Sequence, residues 1–174
     1  MKINRFLIFI TAFFLSINIA VKADIPHFLD FKYVLNNSDA GKKAQSFLQN
    51  KLSKGLENLK KKEKEIQDNE KKIIQQKKIL SAEDYKKKVN ELRSSVSSLQ
   101  KERNNLLETV SKQRTSARNE LLKALNPIIK DYMNEKKIRM VIDKKSLLLA
   151  DENLDITKEI TSRLNKKLKS IKLK

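Results

Sequence analysis

Few side chains in this sequence could take part in catalysis. Its 174 residues include one histidine, His27, and no cysteine, which excludes thiol catalysis, disulfides and cysteine-based zinc sites. A catalytic histidine needs an oriented partner, and His27 stands alone in an apolar stretch, which predicts a structural role. Several central carboxylates alternate with lysines at the spacing typical of i,i+4 ion pairs; they include Glu63, Glu65, Asp68 and Glu70.

The composition disfavours several classes of protein. Glycine and proline occur twice each, and both glycine-rich phosphate loops and hairpin turns depend on these residues. An all-β barrel or a Rossmann nucleotide site is therefore not expected. The sequence contains no recognisable nucleophile motif, phosphate loop or metal-ligand cluster. We expect no enzymatic activity, no cofactor and no metal.

Basic side chains provide the clearest binding potential. Lysine and arginine number 39 against 21 aspartates and glutamates, which gives a net charge of +18. Residues 71–88 hold seven lysines against Glu83 and Asp84, a local charge of +5. Such a cluster attracts acidic polypeptide, lipid head groups or nucleic acid, or it only keeps a bare helix soluble. The candidate contact residues are Lys71, Lys72, Lys77, Lys78, Lys86, Lys87 and Lys88.

A seven-residue repeat predicts the helices that position these lysines. Apolar residues recur at the spacing of a coiled-coil seam in two series, Leu52, Leu59, Ile66, Ile73, Leu80 and then Tyr85, Leu92, Leu99, Leu106. The series differ in phase, and Ser81 between them, followed by Glu83 and Asp84, is typical of a helix start. Because a short connection favours antiparallel neighbours, we predict helices over about 41–80 and 82–135.

The predicted hairpin has its tip near residues 79–84 and a narrow seam. The positions that should complete the first series are mostly polar, and they include Glu63, Glu70 and Lys77. Such a seam suits a two-helix coil open to water rather than a helix in a buried bundle. Asn126-Pro127 predicts a kink in the second helix, or a new start with Asn126 as its cap.

The two ends of the chain predict a small β-rich body. Residues 24–35, 138–142 and 147–150 are short apolar runs that favour strands, the last two as a hairpin. Asp155 is expected to cap a final amphipathic helix. The fold class is therefore α+β and mostly α: a long antiparallel coiled-coil hairpin, residues 41–136, on a body made of residues 24–40 and 137–174.

Such a body is too small to be stable alone. Small cores offset chain entropy poorly, and unpaired strand edges would stay exposed. We therefore expect a dimer or a trimer in which several chains pool their strands. The candidate oligomerisation residues are Phe28, Phe31, Val34, Val141 and Ile142.

The first 23 residues predict a cleavable signal peptide. Lys2 and Arg5 precede the uncharged residues 6–21, and Val21-Lys22-Ala23 fits a cleavage site after Ala23. The alternative is an uncleaved anchor, but the apolar run is shorter than the roughly 18–20 residues needed to span a membrane. A lipoprotein is excluded because no cysteine is available for acylation.

Motifs at both ends resemble the Skp/OmpH family of periplasmic chaperones. In that family a strand ending in aspartate runs through a short turn into an "aGkka" motif and the first arm helix, and the chain ends with a strand and a "DIT…lN" motif. The matching residues are Asp30, 31–38, Ala40-Gly41-Lys42-Lys43-Ala44, Val141-Ile142-Asp143-Lys144-Lys145, Asp155-Ile156-Thr157 and Arg163-Leu164-Asn165-Lys166. One departure is Lys136-Lys137-Ile138, where many members have a glycine before the strand.

The resemblance implies a trimer shaped like a jellyfish, with a β-rich body and three helical tentacles around a cavity. Such proteins hold unfolded outer-membrane proteins in the periplasm without ATP and prevent aggregation. One alternative is a basic coiled-coil protein that docks on anionic lipid or lipopolysaccharide. Another, nucleic-acid binding, is suggested by the net charge, but export argues against it.

Overall fold

The computed structural model describes residues 25–173. The predicted signal peptide and its cleavage site after Ala23 lie outside these residues. The elements are β1 (His27–Leu29), α1 (Phe31–Asn37), α2 (Asp39–Gln76), α3 (Ala82–Lys136), β2 (Val141–Asp143) and α4 (Thr157–Lys167), with short 3-10 turns at Lys144–Ser146 and Glu152–Leu154. The predicted class, α+β and mostly α, is confirmed.

Helices α2 and α3 form the predicted antiparallel hairpin. Lys51 contacts Gln113 and Lys62 contacts Glu102. The residue number on α3 falls as the number on α2 rises, so the two helices are antiparallel. The 55 residues of α3 correspond to about 80 Å at 1.5 Å per residue. Helix α2 ends at Gln76, earlier than predicted.

Ser81 is the N-cap of α3, as predicted. Its Oγ accepts a hydrogen bond from the backbone nitrogen of Asp84 at 3.1 Å, and Glu83 and Asp84 occupy the acidic first turn. Helix α3 then runs without a break through Pro127, so the alternative of a new start at Asn126 is wrong. This stretch is held in the core by the buried side chains of Leu125, Ile128 and Ile129. Their packing outweighs the cost of the backbone hydrogen bond that proline cannot donate.

The strand predictions at the two ends were only partly correct. A strand was predicted over residues 24–35, but the described residues 25–35 contain only the three-residue strand β1, because the Asp30 carboxylate accepts from the backbone nitrogen of Tyr33 at 2.7 Å and starts α1. Strand β2 pairs in parallel with β1, with Phe28 opposite Ile142. Residues 147–150 form no strand, so the predicted hairpin with 138–142 is wrong.

We call β1, α1, β2, α4 and the helix ends packed on them the base. Its core contains the fully buried Leu29, Val34, Leu125, Ile160 and Leu164, which come from both ends of the chain and from α3. Lys137 ends α3 with φ 56° and ψ 34°, the left-handed conformation that glycine favours. This residue lies in the segment where the resemblance leads us to expect a glycine.

Candidate functional site

The arm tip, residues 71–88, carries all seven lysines singled out in the sequence. Lys71 and Lys72 lie on the last turns of α2, Lys77 and Lys78 in the connection, and the other three on the first turns of α3. All are exposed except the half-buried Lys88. The hairpin therefore brings them together at one end of the molecule.

Most of these lysines have no partner within residues 25–173. The Lys71 ammonium lies 3.9 Å from the Asp68 carboxylate, and that of Lys77 lies 5.9 Å from the centre of the Tyr85 ring. The remaining five make no ion pair with a described residue. Ile74 and Ile79 are exposed among them, Ile79 at 84%. The tip is thus a mixed basic and apolar surface.

The arm buries little of its apolar surface. Between residues 60 and 109 only Ile73 is buried, and the other buried side chains of the hairpin lie in its lower half, from Leu59 and Val110 down to the base. Large apolar side chains remain exposed along the arm at Leu56, Ile74, Ile79, Val96 and Leu107. The narrow seam predicted from the heptads is confirmed.

Polar contacts across the hairpin supplement the seam. The Lys62 ammonium lies 2.6 Å from the Glu102 carboxylate, and the Arg103 guanidinium lies 3.9 Å from that of Glu63. Glu63 therefore pairs across the hairpin, and Asp68 pairs with Lys71 at i,i+3. Pairs at the predicted i,i+4 spacing occur at Glu57–Lys61 and Glu108–Lys112, where the lysines lower the pKa of both carboxyls.

Hydrogen bonds between the two ends of the chain hold the arm to the base. The Thr157 hydroxyl accepts from the backbone nitrogen of Asp30 at 2.9 Å, and the Asn165 amide oxygen accepts from that of Asp39 at 2.8 Å. Three of these residues belong to the motifs that carried the family resemblance. Their role in the structure is architectural.

Arg163 ties α4 to α3. Its guanidinium donates to the Glu135 carboxylate at 2.7 Å and to Glu159 at 2.8 Å, and it lies 4.7 Å from the centre of the Tyr132 ring. The hydrogen bond from Arg163 lowers the pKa of Glu135, and bonds to Glu135 and Glu159 raise the pKa of Arg163. Glu135 and Arg163 therefore stay charged over the neutral range.

Asp155 makes a similar contact on the other side of the base. Its carboxylate accepts from the Lys144 ammonium and from the backbone nitrogen of Thr157, both at 2.9 Å. Burial raises the pKa of Asp155, but these hydrogen bonds outweigh burial, so its pKa is lowered overall. The sequence predicted Asp155 as the cap of α4, but the N-cap is Ile156, one residue later, and its side chain makes no capping hydrogen bond.

A groove of about 1010 Å³ lies where α1, the start of α2 and the middle of α3 meet. Its apolar lining includes Phe31, Leu35, Leu48 and Leu52, and Arg114 and Arg118 stand on its rim. We call it the base groove. The sequence analysis did not single out either arginine. The signal that could have identified them is that neither has an acidic residue three or four positions away, so neither can form an ion pair within α3.

The candidate oligomerisation residues lie close together in the base, but they differ in burial. Phe28 and Val34 are buried in the chain's own core, whereas Phe31, Val141 and Ile142 are half-buried. Only the last three offer surface to another molecule.

His27 lies half-buried on β1, and its Nδ1 has no hydrogen-bond partner within residues 25–173. In that range, no group of acidic, histidine or cysteine side chains could hold a metal ion. None of the helices in the described part is both long enough and apolar enough to cross a membrane.

The fold is therefore a long antiparallel helical hairpin that projects from a small α+β base. The family model described as "Outer membrane protein (OmpH-like)" matches residues 27–164, so the chain belongs to the OmpH-like family and the resemblance seen in the sequence is confirmed. No curated protein sequence matches the chain closely enough to count as a relative.

A solved structure shares the fold. It is the crystal structure of a protein from Caulobacter crescentus CB15 described as an OmpH-like outer membrane chaperone. The TM-score is 0.78 at 16% sequence identity, and the match covers 85% of this chain and 89% of the other. At that identity the likeness establishes the fold alone.

Proposed function

We propose that this protein is a periplasmic chaperone that binds unfolded outer-membrane proteins without ATP and prevents their aggregation. Residues 1–23 would be removed as a signal peptide on export. Three copies would join through bodies made of residues 24–40 and 137–174, and their arms, residues 41–136, would enclose the client. Membership of the OmpH-like family supports this assignment.

The arm surface is the observation that carries the proposal. From residue 60 to 109 the hairpin buries only Ile73, and it leaves apolar side chains such as Ile74 and Val96 exposed among cations. A helical hairpin selected only for stability would bury these groups in a wider seam. Exposed apolar patches on soluble proteins mark interaction sites.

This surface suits an unfolded outer-membrane protein. The strands of such proteins alternate apolar and polar residues, so an extended client can place apolar side chains against the arm while its acidic groups meet lysines. A protein that binds the unfolded state holds it by mass action and needs no nucleotide. Many weak contacts along an arm of about 60 Å, the length of the 38 residues of α2 at 1.5 Å per residue, would accommodate different clients.

The size of the base supports the proposed assembly. Strands β1 and β2 are three residues each, and within the described residues the second edge of β2 is unpaired. An open edge is a template for pairing with another chain. A second copy that covered it would also enlarge the small core.

An aggregation assay tests the proposed function. An outer-membrane protein unfolded in urea is diluted into buffer without ATP, with and without this protein, and light scattering is followed. We expect the protein to suppress scattering, and the triple variant Leu56→Gln, Ile74→Gln, Leu107→Gln to suppress it less. The matched control, Ser94→Gln, Ser97→Gln, Asn105→Gln, changes exposed polar arm positions and should act like the parent. Equal suppression by both variants would contradict the role of the arm.

A second candidate function is docking on an anionic lipid or lipopolysaccharide surface. The arm tip favours it, because five of its lysines have no ion pair with a described residue and Ile79 is 84% exposed. In this case the protein would bind anionic vesicles but would leave aggregation unchanged. Vesicle flotation alongside the scattering assay separates the two functions.

A further inference from the structure

The outer side of α4, together with the adjoining turn of α1, forms an exposed basic surface that we call the α4 face. Its lysines are Lys158, Lys166 and Lys169, and all three are exposed. Lys158 and Lys166 make no ion pair within residues 25–173, and Lys169 has a single contact of 3.4 Å with Asp39. The α4 face therefore carries positive charge that the described part of the chain leaves largely unneutralised.

Polar donors lie between these lysines in a shallow cavity of about 370 Å³. Its lining includes the hydroxyls of Tyr33 and Ser162 and the amide of Asn165. Neither hydroxyl makes a hydrogen bond within the described residues. The Asn165 amide oxygen accepts from the backbone nitrogen of Asp39, whereas its NH2 group donates to no described residue. A cavity that combines free ammonium, hydroxyl and amide donors suits an anionic group such as a carboxylate.

The spacing of the donors favours an extended polypeptide as the ligand. Positions 158, 162 and 166 are four residues apart, so they share one side of α4 and follow each other at about 6 Å along its axis. Alternate residues of an extended chain lie about 6.6 Å apart and point to the same side. Acidic residues at every second position of an extended segment can therefore meet Lys158, Ser162 and Lys166 in turn.

The α4 face is poorly suited to a membrane or to a second copy of this chain. A helix that lies on a bilayer buries an apolar face in it, but the apolar Ile160 and Leu164 of α4 are fully buried in the core. Every exposed side chain of α4 is polar or charged. A second copy would bring the same lysines to the contact, and like charges repel. An acidic segment of a different protein has the matching charge.

We propose that the α4 face binds an extended acidic segment of a partner protein, with carboxylates against Lys158 and Lys166 and with the hydroxyls of Tyr33 and Ser162 as further donors. The α4 face belongs to the base, and the 38 residues of α2 separate the base from the arm tip by about 60 Å. A partner bound there would leave the arms free for a client. The inference goes beyond the proposed function, since the surface requires no bound client.

Fluorescence anisotropy with a labelled ten-residue peptide of alternating glutamate and serine tests the site. In all samples the seven arm-tip lysines are replaced with glutamine, so that the tip does not attract the peptide. The variant Lys158→Gln, Lys166→Gln, Lys169→Gln should bind at least about tenfold more weakly, because charge-assisted hydrogen bonds are lost. The control Lys54→Gln, Lys123→Gln, Lys130→Gln removes the same charge at exposed positions elsewhere and should change the affinity less than about twofold. Equal losses in the two variants would overturn the proposal.

A second variant separates a cavity with specific donors from attraction by charge alone. Tyr33→Phe with Ser162→Ala removes two hydroxyls and no charge, and it should weaken peptide binding about threefold. An unchanged affinity would mean that the donors do not act as one site, and the proposal would be wrong.

Two further measurements identify the occupant. Flotation with phosphatidylglycerol vesicles that depends on Lys158 and Lys166, without peptide binding, would make the α4 face a membrane contact and overturn the proposal. The peptide should bind equally well with and without an unfolded outer-membrane protein, and its displacement by that client would also overturn the proposal. If the peptide binds as expected but the parent does not suppress aggregation, the proposed function fails and the docking surface stands.

Discussion

The amide oxygen of Asn165 accepts a hydrogen bond from the backbone nitrogen of Asp39 at 2.8 Å, so α4 caps the start of α2. The hydroxyl oxygen of Ser38 accepts a hydrogen bond from a second backbone amide of this turn, that of Gly41, at 3.2 Å. The first amides of a helix have no partner within it, and here the opposite end of the chain supplies one. The root of the arm is therefore joined to the base by specific hydrogen bonds as well as by packing.

Gly41 makes the same junction sterically demanding. A Cβ added there would lie 1.9 Å from the backbone oxygen of Leu35, so Gly41→Ala should push α1 away and lower the free energy of unfolding by about 2 kcal/mol. Gly55→Ala is the matched control. Its Cβ would meet the side chain of Leu106 at 2.5 Å, which can change rotamer, and alanine favours the helix. Urea titration should show that Gly41→Ala lowers the free energy of unfolding more than Gly55→Ala does. The reverse order would contradict this interpretation.

Lys137 is strained where α3 ends. Its φ of 56° costs an ordinary residue roughly 1–2 kcal/mol, so Lys137→Gly should raise the free energy of unfolding by about 1 kcal/mol. Lys136→Gly, one residue earlier within the helix, should lower it by a similar amount. Thermal melts of both variants check the prediction, and a lower melting temperature for Lys137→Gly would contradict it.

Local patterns predicted the hairpin well, because the determinants lie close together in sequence. The heptad series and the Ser81 cap are each visible within a few residues. The same reasoning mistook α1 for a strand: the apolar run around Phe31 and Val34 favours a strand, but the Asp30 carboxylate caps a helix there. A capping aspartate before the run was the signal that could have corrected it.

The base groove could not be predicted from the sequence. Its lining joins Phe31, Leu52 and Arg118, residues from three helices that no periodicity relates. Residues 147–150 were predicted as a strand because apolar runs favour strands. Within residues 25–173 of the single chain they pair with no strand, so they remain irregular and exposed.

Asp155 makes the stability of the base depend on pH. Burial raises its pKa, but hydrogen bonds from Thr157 and Lys144 hold the pKa below the usual 3.8. A carboxyl with a lowered folded-state pKa stabilises the protein above its unfolded pKa, and this contribution is lost as pH falls through the folded value. Urea midpoints should therefore fall between about pH 5 and pH 2. Asp155→Asn should be less stable at neutral pH and should show a shallower decline.

The control for this pH dependence is Asp68→Asn, which changes an exposed carboxyl on the arm. It should keep the profile of the parent. Parallel profiles for the parent and Asp155→Asn would show that the carboxylate does not contribute in this way.

The arm-tip lysines should act through long-range attraction. Replacing Lys71, Lys72, Lys77, Lys78, Lys86, Lys87 and Lys88 with glutamine changes the local charge from +5 to −2, since seven charges are removed. Helix propensity is nearly unchanged. The association rate with an acidic client should fall about tenfold at low ionic strength, and the difference should shrink as salt screens the charges. Stopped-flow fluorescence at several salt concentrations measures both effects.

A second glutamine variant controls for net charge. It alters seven exposed lysines outside the tip that have no ion pair with a described residue, namely Lys42, Lys43, Lys54, Lys60, Lys64, Lys123 and Lys130. It should slow association less than the tip variant does. If the two variants slow association equally, the position of the lysines is irrelevant and only total charge matters.

Native mass spectrometry of the chain from Asp24 onward, with and without an unfolded outer-membrane protein, tests the proposed chaperone function most directly. It reports the number of copies and the number of bound clients in one measurement. We predict an assembly of three chains alone, and three chains with one client when the unfolded protein is added. A folded monomer at micromolar concentration, or a trimer that captures no client, would contradict the proposal.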